Sequence, residues 1–202
     1  LSVDAVWSKT DPELALQNGP WQVGARIHKG SRGKTFYVAV NGNDRNPGTI
    51  DKPFATWQKG FSSASPGDTV FIRGGRYAPD EGNIMNIFGS DFHCGVCISN
   101  KKGSKGRTFN ILAYPGEKPV LDCSNFSIPA YRAGIILLEC DYWILKGLEV
   151  TGAGQEKGFG AFGIYLNSCN NNTLEQMVSK NHGGSGIRIG YASENNLLLN
   201  CD

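Results

Sequence analysis

Residues 93–97, with the sequence His-Cys-Gly-Val-Cys, have a spacing that can bind zinc or carry out thiol–disulfide exchange. In a C-x-x-C motif the two sulfur atoms lie close enough to ligate one metal ion or to form one disulfide. A structural zinc site usually needs four ligands, however, and the sequence contains no second C-x-x-C pair. The motif therefore favours a local disulfide, or simple burial of Cys94 and Cys97, over a metal site.

The composition indicates a globular domain with little attraction for polyanions. Twenty Lys and Arg residues and 18 Asp and Glu residues are mixed along the chain, which gives a net charge of +2. We therefore expect no nucleic-acid partner and no membrane partner. No stretch approaches the ~20 apolar residues of a membrane span, and the first ten residues lack the pattern of a signal peptide. The six cysteines are compatible with a secreted protein, whose signal peptide would already have been removed.

The sequence of the first third of the chain predicts an extended leader segment followed by a capping helix between two strands. Residues 1–34, which include Trp7 and Trp21, show no clear period, and we interpret them as an extended leader packed by its tryptophans. The segments TFYVAV and TVFIRGGRY are typical of strands. Between them, PFATWQKGFSSASPGD predicts a short helix with Thr56 as N-cap, one apolar face, and a stop at Pro66-Gly67. The apolar face consists of Trp57, Phe61 and Ala64.

The rest of the chain is organised by repetition. Similar segments begin at Gly134, Gly163 and Gly186, with offsets of 29 (134 to 163) and 23 (163 to 186). Each contains two short apolar strands separated by polar turns, and none has the 3.6-residue period of a helix. A direct alignment of the last two segments pairs Cys169 with Ala192, Asn172 with Asn195, Leu174 with Leu197, and Val178 with Cys201.

Units of this size cannot bury their own apolar faces, so successive units must stack about 4.8 Å apart as the coils of a solenoid. Eight asparagines lie between Asn167 and Asn200. Asparagine suits the turns of stacked coils because it tolerates left-handed backbone conformations. The sequence therefore predicts an all-β fold, a single-stranded parallel β-helix covering residues 35–202, with the short helix as its N-terminal cap.

Two segments carry a resemblance to known proteins. The run YVAVNGNDRNPGTIDKPFATWQKGFSSASPGDTVFIRGGRY resembles the capping segment of right-handed β-helix proteins of the pectate-lyase-like group, and KKGSKGRTFNILAYPGEKPVLDC resembles their second coil. The ending SGIRIGYASENNLLLNCD is most similar to family 9 polysaccharide lyases. The resemblance implies a secreted enzyme that cleaves an acidic plant cell-wall polysaccharide, polygalacturonate or rhamnogalacturonan, by β-elimination.

In that family a Ca²⁺ ion held by aspartates pairs with the substrate carboxylate, and a lysine takes the proton. The resemblance implies that Asp202 is one calcium ligand. One carboxylate cannot hold an ion that takes about six to eight oxygens, so we expect the other ligands and the base to lie downstream and these 202 residues to be inactive alone. By the direct alignment Ser179 shares the column of Asp202, which suggests that Lys180, Asn181 and His182 lie one coil away and that Lys180 and His182 contact substrate.

Other polar and sulfur-containing residues receive structural interpretations. Arg188 alternates with Ile187 and Ile189, as in any half-exposed strand. Cys140 and Cys169 fall in one column of adjacent coils, where a stack of buried thiols or a disulfide between coils would fit, whereas Cys201 falls in another column. An open last coil would expose strand edges and core side chains, so we expect the chain to be unstable or to associate.

Two other functions fit the same solenoid. A glycoside hydrolase would need a pair of carboxyl groups flanking the scissile bond. Glu149, Glu175 and Glu194 are scattered rather than paired in one column, which argues mildly against that function. A non-catalytic carbohydrate-binding or adhesive module would carry aromatic residues instead of further aspartates near Asp202.

Overall fold

The computed structural model describes residues 33–79, 83–126, 130–154 and 160–202. The proposed leader with Trp7 and Trp21 therefore lies almost entirely outside the described residues. None of the described helices is long and apolar enough to cross a membrane. The described elements are one helix, α1 (Trp57–Ser63), and the strands β1 (Thr35–Val38), β2 (Thr69–Ile72), β3 (Gly75–Tyr77), β4 (Asn83–Ile87), β5 (Ser90–Ser99), β6 (Phe109–Ala113), β7 (Pro119–Asp122), β8 (Tyr131–Leu138), β9 (Trp143–Lys146), β10 (Glu149–Thr151), β11 (Ala161–Asn167), β12 (Thr173–Glu175), β13 (Val178–Lys180), β14 (Ser185–Gly190) and β15 (Leu197–Leu199).

The strands form three sheets that run along the solenoid. Sheet 1 has the order β1-β2-β6-β9-β12-β15, sheet 2 the order β3-β7-β10-β13, and sheet 3 the order β4-β5-β8-β11-β14. Pairing within the sheets is parallel except between β4 and β5, which form an antiparallel hairpin at the edge of sheet 3. The three coils from β6 to β14 each contribute one strand to each sheet, which confirms the predicted parallel β-helix.

The glycine repeat marks one column of sheet 3. The strand registers place four glycines side by side on β5, β8, β11 and β14: Gly95, Gly134, Gly163 and Gly186. Each lacks a side chain where the opposite sheet approaches. A Cβ at Gly134 would overlap the Val150 side chain, and one at Gly163 would overlap Ser179. The glycine repeat in the sequence therefore marks the positions where sheets 2 and 3 lie too close together for a side chain.

The direct alignment of the last two repeats is wrong by one residue after the corner. Thr173 pairs with Leu197 and Leu174 with Leu198, so Asn172 stands beside Asn196 rather than Asn195. The cause is corner length, because residues 168–172 join β11 to β12, whereas the longer segment 191–196 joins β14 to β15. The extra residue is absorbed outside the sheets, where the backbone is free to bulge.

The N-terminal cap follows the sequence prediction closely. The Thr56 side chain accepts a hydrogen bond from the Lys59 amide and caps α1, as expected. Trp57 and Phe61 are buried, and the ring of Phe61 lies 6.0 Å from that of Trp143. Trp143 in turn stacks on Phe109 at 4.3 Å. The helix thus closes the core over several coils.

The segment TVFIRGGRY forms two strands, β2 and β3, instead of the single strand expected. The chain turns a corner at Arg73-Gly74, and Gly75 has a φ of +132°, which suits glycine. The Arg73 guanidinium binds the Glu117 carboxylate through several hydrogen bonds, the shortest 2.7 Å. These hydrogen bonds lower the pKa of Glu117. The ion pair fixes the corner between sheets 1 and 2.

Candidate functional site

Asp202 lies on the outer face of sheet 2. The Ser179 amide donates to the Asp202 carbonyl at 2.8 Å, and the Asp202 amide donates to the Met177 carbonyl at 2.9 Å. This pattern places Asp202 beside Val178 and corrects the expectation that Ser179 shares its column. The one-residue insertion at the preceding corner causes the shift. Because Val178 pairs with Glu149, Asp202 and Glu149 belong to one column, two coils apart.

Lys180 occupies the same face and is held by an ion pair. Its Nζ lies 2.9 Å from Oε1 of Glu149, and both side chains are partly exposed. In the same column of sheet 2, Thr151 lies between Lys180 and Asp122. The Asp122 carboxylate forms an ion pair with the Arg76 guanidinium at 2.6 Å. Burial would raise the pKa of Asp122, but hydrogen bonds from Ser124 and Arg76 outweigh it and lower that pKa. Sheet 2 therefore presents charges that are largely neutralised in pairs.

The carboxylate of Asp202 is exposed, and no ion-pair partner for it lies among the described residues. Those residues also contain no group of three or more carboxylate, imidazole or thiol side chains that could hold a metal ion. A calcium ion takes about six to eight oxygen ligands. The described residues alone therefore do not fit a calcium site, and the role of Asp202 as one ligand stays a prediction.

His182 points inward, away from Lys180. Its Nδ1 accepts a hydrogen bond from the Ala153 amide at 3.2 Å, and its Nε2 lies 3.2 Å from Oγ of Ser179. Oγ of Ser179 donates to the Gly186 carbonyl at 2.7 Å. The imidazole thus links two coils through both ring nitrogens. The structure separates His182 from Lys180, and substrate binding by either residue stays a prediction.

Burial lowers the pKa of His182, and the nearby Val150 backbone only partly opposes this effect. The unfolded chain therefore takes up a proton at a higher pH than the folded chain. The stability that neutral His182 contributes is complete above the unfolded value of about 6.5 and is lost as the pH falls through the lower folded value. We expect the urea midpoint of the wild type to fall from pH 8 to pH 5.

Asn in place of His182 provides the matched control, because its side-chain oxygen can accept the Ala153 hydrogen bond but does not titrate. The midpoint of His182→Asn should change less over the same range. Working above pH 5 keeps Glu117 and Asp122 ionised, since both have lowered pKa values. If the urea midpoints of the two proteins fall equally between pH 8 and pH 5, His182 is not the source of the pH dependence.

The cysteines behave as structural residues. Cys94 and Cys97 form a disulfide within β5, with their Cα atoms 6.0 Å apart, which agrees with the local pairing favoured by the sequence. Cys140 and Cys169 are buried free thiols in one column, and the Cys140 amide lies 3.4 Å from the Cys169 sulfur. Burial raises the pKa of Cys140 to about 12. These two residues thus form the predicted stack of thiols and no disulfide.

Sequence reasoning missed a cluster on the outer face of sheet 3. The Arg188 guanidinium lies over the rings of Phe162 and Tyr165, at 4.9 and 5.2 Å. Tyr191 follows Arg188 by three residues, and its ring lies 4.8 Å from that of Phe88. One signal was available, because Tyr165 and Arg188 each follow a repeat glycine by two residues and must therefore be neighbours. Phe88, far away in the sequence, gave no signal.

A family model described as the Pel9A-like right-handed β-helix region matches residues 36–202, which is most of the chain. The chain belongs to this Pel9A-like family. The match confirms the resemblance stated from the sequence and the right-handed β-helix. Pectate lyase L of Paenibacillus polymyxa (strain SC2) is 34% identical over 175 residues, which cover 82% of this chain and 34% of that enzyme. The chain thus spans about a third of the length of this relative.

Solved structures agree on the Pel9A-like fold. The crystal structure of pectate lyase Pel9A superposes with a TM-score of 0.62 at 25% identity, covering 84% of this chain and 39% of that one. A rhamnogalacturonan lyase superposes with a TM-score of 0.68 at 23% identity, covering 84% and 51% respectively. At 23% identity, the likeness to the rhamnogalacturonan lyase supports the fold alone. These two solved structures carry the names of a pectate lyase and a rhamnogalacturonan lyase.

Proposed function

We propose that the protein carrying this chain cleaves pectic polymers, polygalacturonate or rhamnogalacturonan, by calcium-assisted β-elimination. The observation that carries the proposal is the Pel9A-like match over residues 36–202, together with a pectate lyase relative at 34% identity. The Cys94–Cys97 disulfide supports a secreted protein, because such bonds persist in oxidising compartments.

β-Elimination removes the C5 proton of a uronate and expels the glycosidic oxygen at C4. The described residues offer no free lysine base on sheet 2, because Lys180 is bound to Glu149. Asp202 offers one exposed carboxylate. The proton acceptor and the other calcium ligands would have to come from outside the described residues, so the calcium requirement rests on the family likeness.

Glycoside hydrolysis is disfavoured by the contacts of the acidic residues. Glu149 and Glu175 each bind a lysine, Lys180 at 2.9 Å and Lys146 at 2.8 Å. The two carboxyl groups of a hydrolase must face the scissile bond from either side, whereas these two are each occupied by an ion pair. Neither carboxylate is arranged as half of a hydrolytic pair.

The test is the ultraviolet absorbance of unsaturated uronate products, measured with the whole protein on polygalacturonate and on rhamnogalacturonan. We expect absorbing product with calcium, none after chelation, and recovery when calcium but not magnesium is added back. New reducing ends without absorbing product would show a hydrolase, and binding without cleavage a carbohydrate-binding module. Either result would overturn the proposal.

Asp202 is tested by exchanging its carboxylate for an amide. We expect Asp202→Asn to need about tenfold more calcium for half-maximal activity, since each charged ligand strengthens calcium binding. Asp51→Asn is the matched control, because Asp51 is also exposed but lies in the loop before the cap helix. Equal calcium requirements in the two variants would remove Asp202 from the proposed site.

A further inference from the structure

Arg188 holds an exposed guanidinium group in a fixed position. It projects from β14 on the outer face of sheet 3, over the rings of Phe162 and Tyr165. The Tyr165 hydroxyl accepts a hydrogen bond from the Asn167 amide at 2.8 Å, which holds this ring in place. Within the described part of the chain, no hydrogen bond or ion pair occupies the N–H groups of Arg188. A positioned cation therefore faces solvent with its donors unused.

Two exposed aromatic rings extend this surface. Phe88 is 73% exposed and Tyr191 is 61% exposed, although their ring centroids are only 4.8 Å apart. Phe88 is at the tip of the β4–β5 hairpin, whereas Tyr191 follows β14 at the other side of sheet 3. The hairpin tip therefore reaches Tyr191, which follows Arg188 by only three residues in the chain. Exposed aromatic surface of this kind marks a binding site more often than an isolated apolar residue does.

We propose that Arg188, Tyr191 and Phe88 form a binding site for an acidic sugar, a uronate residue of an oligosaccharide. A planar guanidinium can donate two parallel hydrogen bonds to a carboxylate, which a neutral sugar lacks. The electropositive C–H face of the sugar ring fits the electron-rich face of an aromatic ring. Because Phe162 and Tyr165 already fix Arg188, binding requires little further ordering of its side chain.

This site rests on the proposed function, since uronate polymers are the substrates proposed above. It lies on sheet 3, whereas Asp202 and Lys180 lie on sheet 2. It would therefore hold a sugar away from the proposed calcium ligand and lengthen the stretch of polymer that the protein recognises.

The experiment is calorimetric titration of the whole protein with trigalacturonate in the presence of chelator, so that calcium plays no part. We expect Arg188→Ala to weaken binding about tenfold, and Arg188→Lys to weaken it nearly as much, because lysine cannot make the paired hydrogen bonds. Neutral galactotriose should bind the wild type at least about tenfold more weakly. Arg45→Ala is the matched control, because Arg45 is also exposed but lies near the cap.

Thermal unfolding of each variant separates loss of the site from loss of structure. Arg188→Ala and Arg45→Ala that unfold like the wild type but bind trigalacturonate equally well would overturn the inference. No binding to the wild type, or equal binding of the neutral sugar, would also overturn it. Tyr191→Ala provides a second variant, expected to weaken binding about threefold without touching the guanidinium.

Cleavage assays on the same variants distinguish this inference from the proposed function. If the whole protein cleaves a uronate polymer and Arg188→Ala leaves KM unchanged, the site on sheet 3 is wrong and the lyase proposal stands. If trigalacturonate binds through Arg188 but no uronate polymer is cleaved, the lyase proposal is wrong and the acidic-sugar site stands.

Discussion

Replacing Gly163 with alanine is expected to unfold the last coils. Gly163 lies on β11, where an added Cβ would overlap the Gly186 carbonyl, the Ser179 hydroxyl and the His182 ring. Gly186 is part of the neighbouring strand β14, so its carbonyl cannot move without breaking the parallel ladder. We expect a loss of about 3 kcal/mol or more in the free energy of unfolding. Urea unfolding followed by circular dichroism measures it.

Gly154→Ala is the matched control for this substitution. Among the described residues, a Cβ at Gly154 would meet only the Arg132 side chain, at an ordinary contact distance of 3.7 Å. Its effect should stay within about 0.5 kcal/mol, as for most surface substitutions. If Gly163→Ala unfolds at the same urea concentration as Gly154→Ala, the glycine column does not fix the cross-section of the solenoid.

Replacing Asn172 with alanine is expected to give the second large loss. The side-chain oxygen of this buried residue accepts a hydrogen bond from the Trp143 amide at 2.8 Å. Its amide donates to the Cys140 carbonyl and to Oδ1 of Asn196, each at 3.0 Å. Alanine would leave the Trp143 and Cys140 backbone groups buried without these partners, at about 1–3 kcal/mol each. Urea unfolding followed by tryptophan fluorescence reports the loss, because Trp143 lies beside the site.

Substitutions of two neighbouring asparagines show whether the loss of stability comes from the hydrogen bonds around Asn172. Asn196→Ala should also destabilise the protein, by about 1–3 kcal/mol, because Asn196 bonds to Asn172 and to the Cys169 carbonyl. Asn195→Gly should have little effect, because Asn195 is exposed and glycine tolerates its φ of +56°. If Asn195→Gly destabilises the protein more than Asn196→Ala does, the direct alignment of the repeats, which pairs Asn172 with Asn195, is supported instead.

The parts of the fold that depend on neighbours in sequence or on a repeat were predictable. Thr56 caps the helix because an N-cap interaction spans only three residues. Gly134, Gly163 and Gly186 align because each needs the same missing side chain. Asparagines at turns take left-handed conformations, as in Asn181, because their side chains tolerate them.

The register of the last coil was not predictable in the same way. One residue added to a corner does not alter the strands, so the apolar pattern on either side looks unchanged in the sequence. It does move Asn196 beside Asn172 and Asp202 beside Val178. An alignment anchored on Gly186 therefore loses the register once the chain has passed that corner.

The sequence by itself determined the solenoid, its cap, its glycine column and the family, because each follows from local pattern or repetition. Only the tertiary structure decided which side chains meet. It binds Lys180 to Glu149, turns His182 inward, and brings Phe88 into contact with Tyr191. The physical reason is that these contacts depend on corner lengths and on a hairpin folding across a sheet, which no short-range pattern encodes.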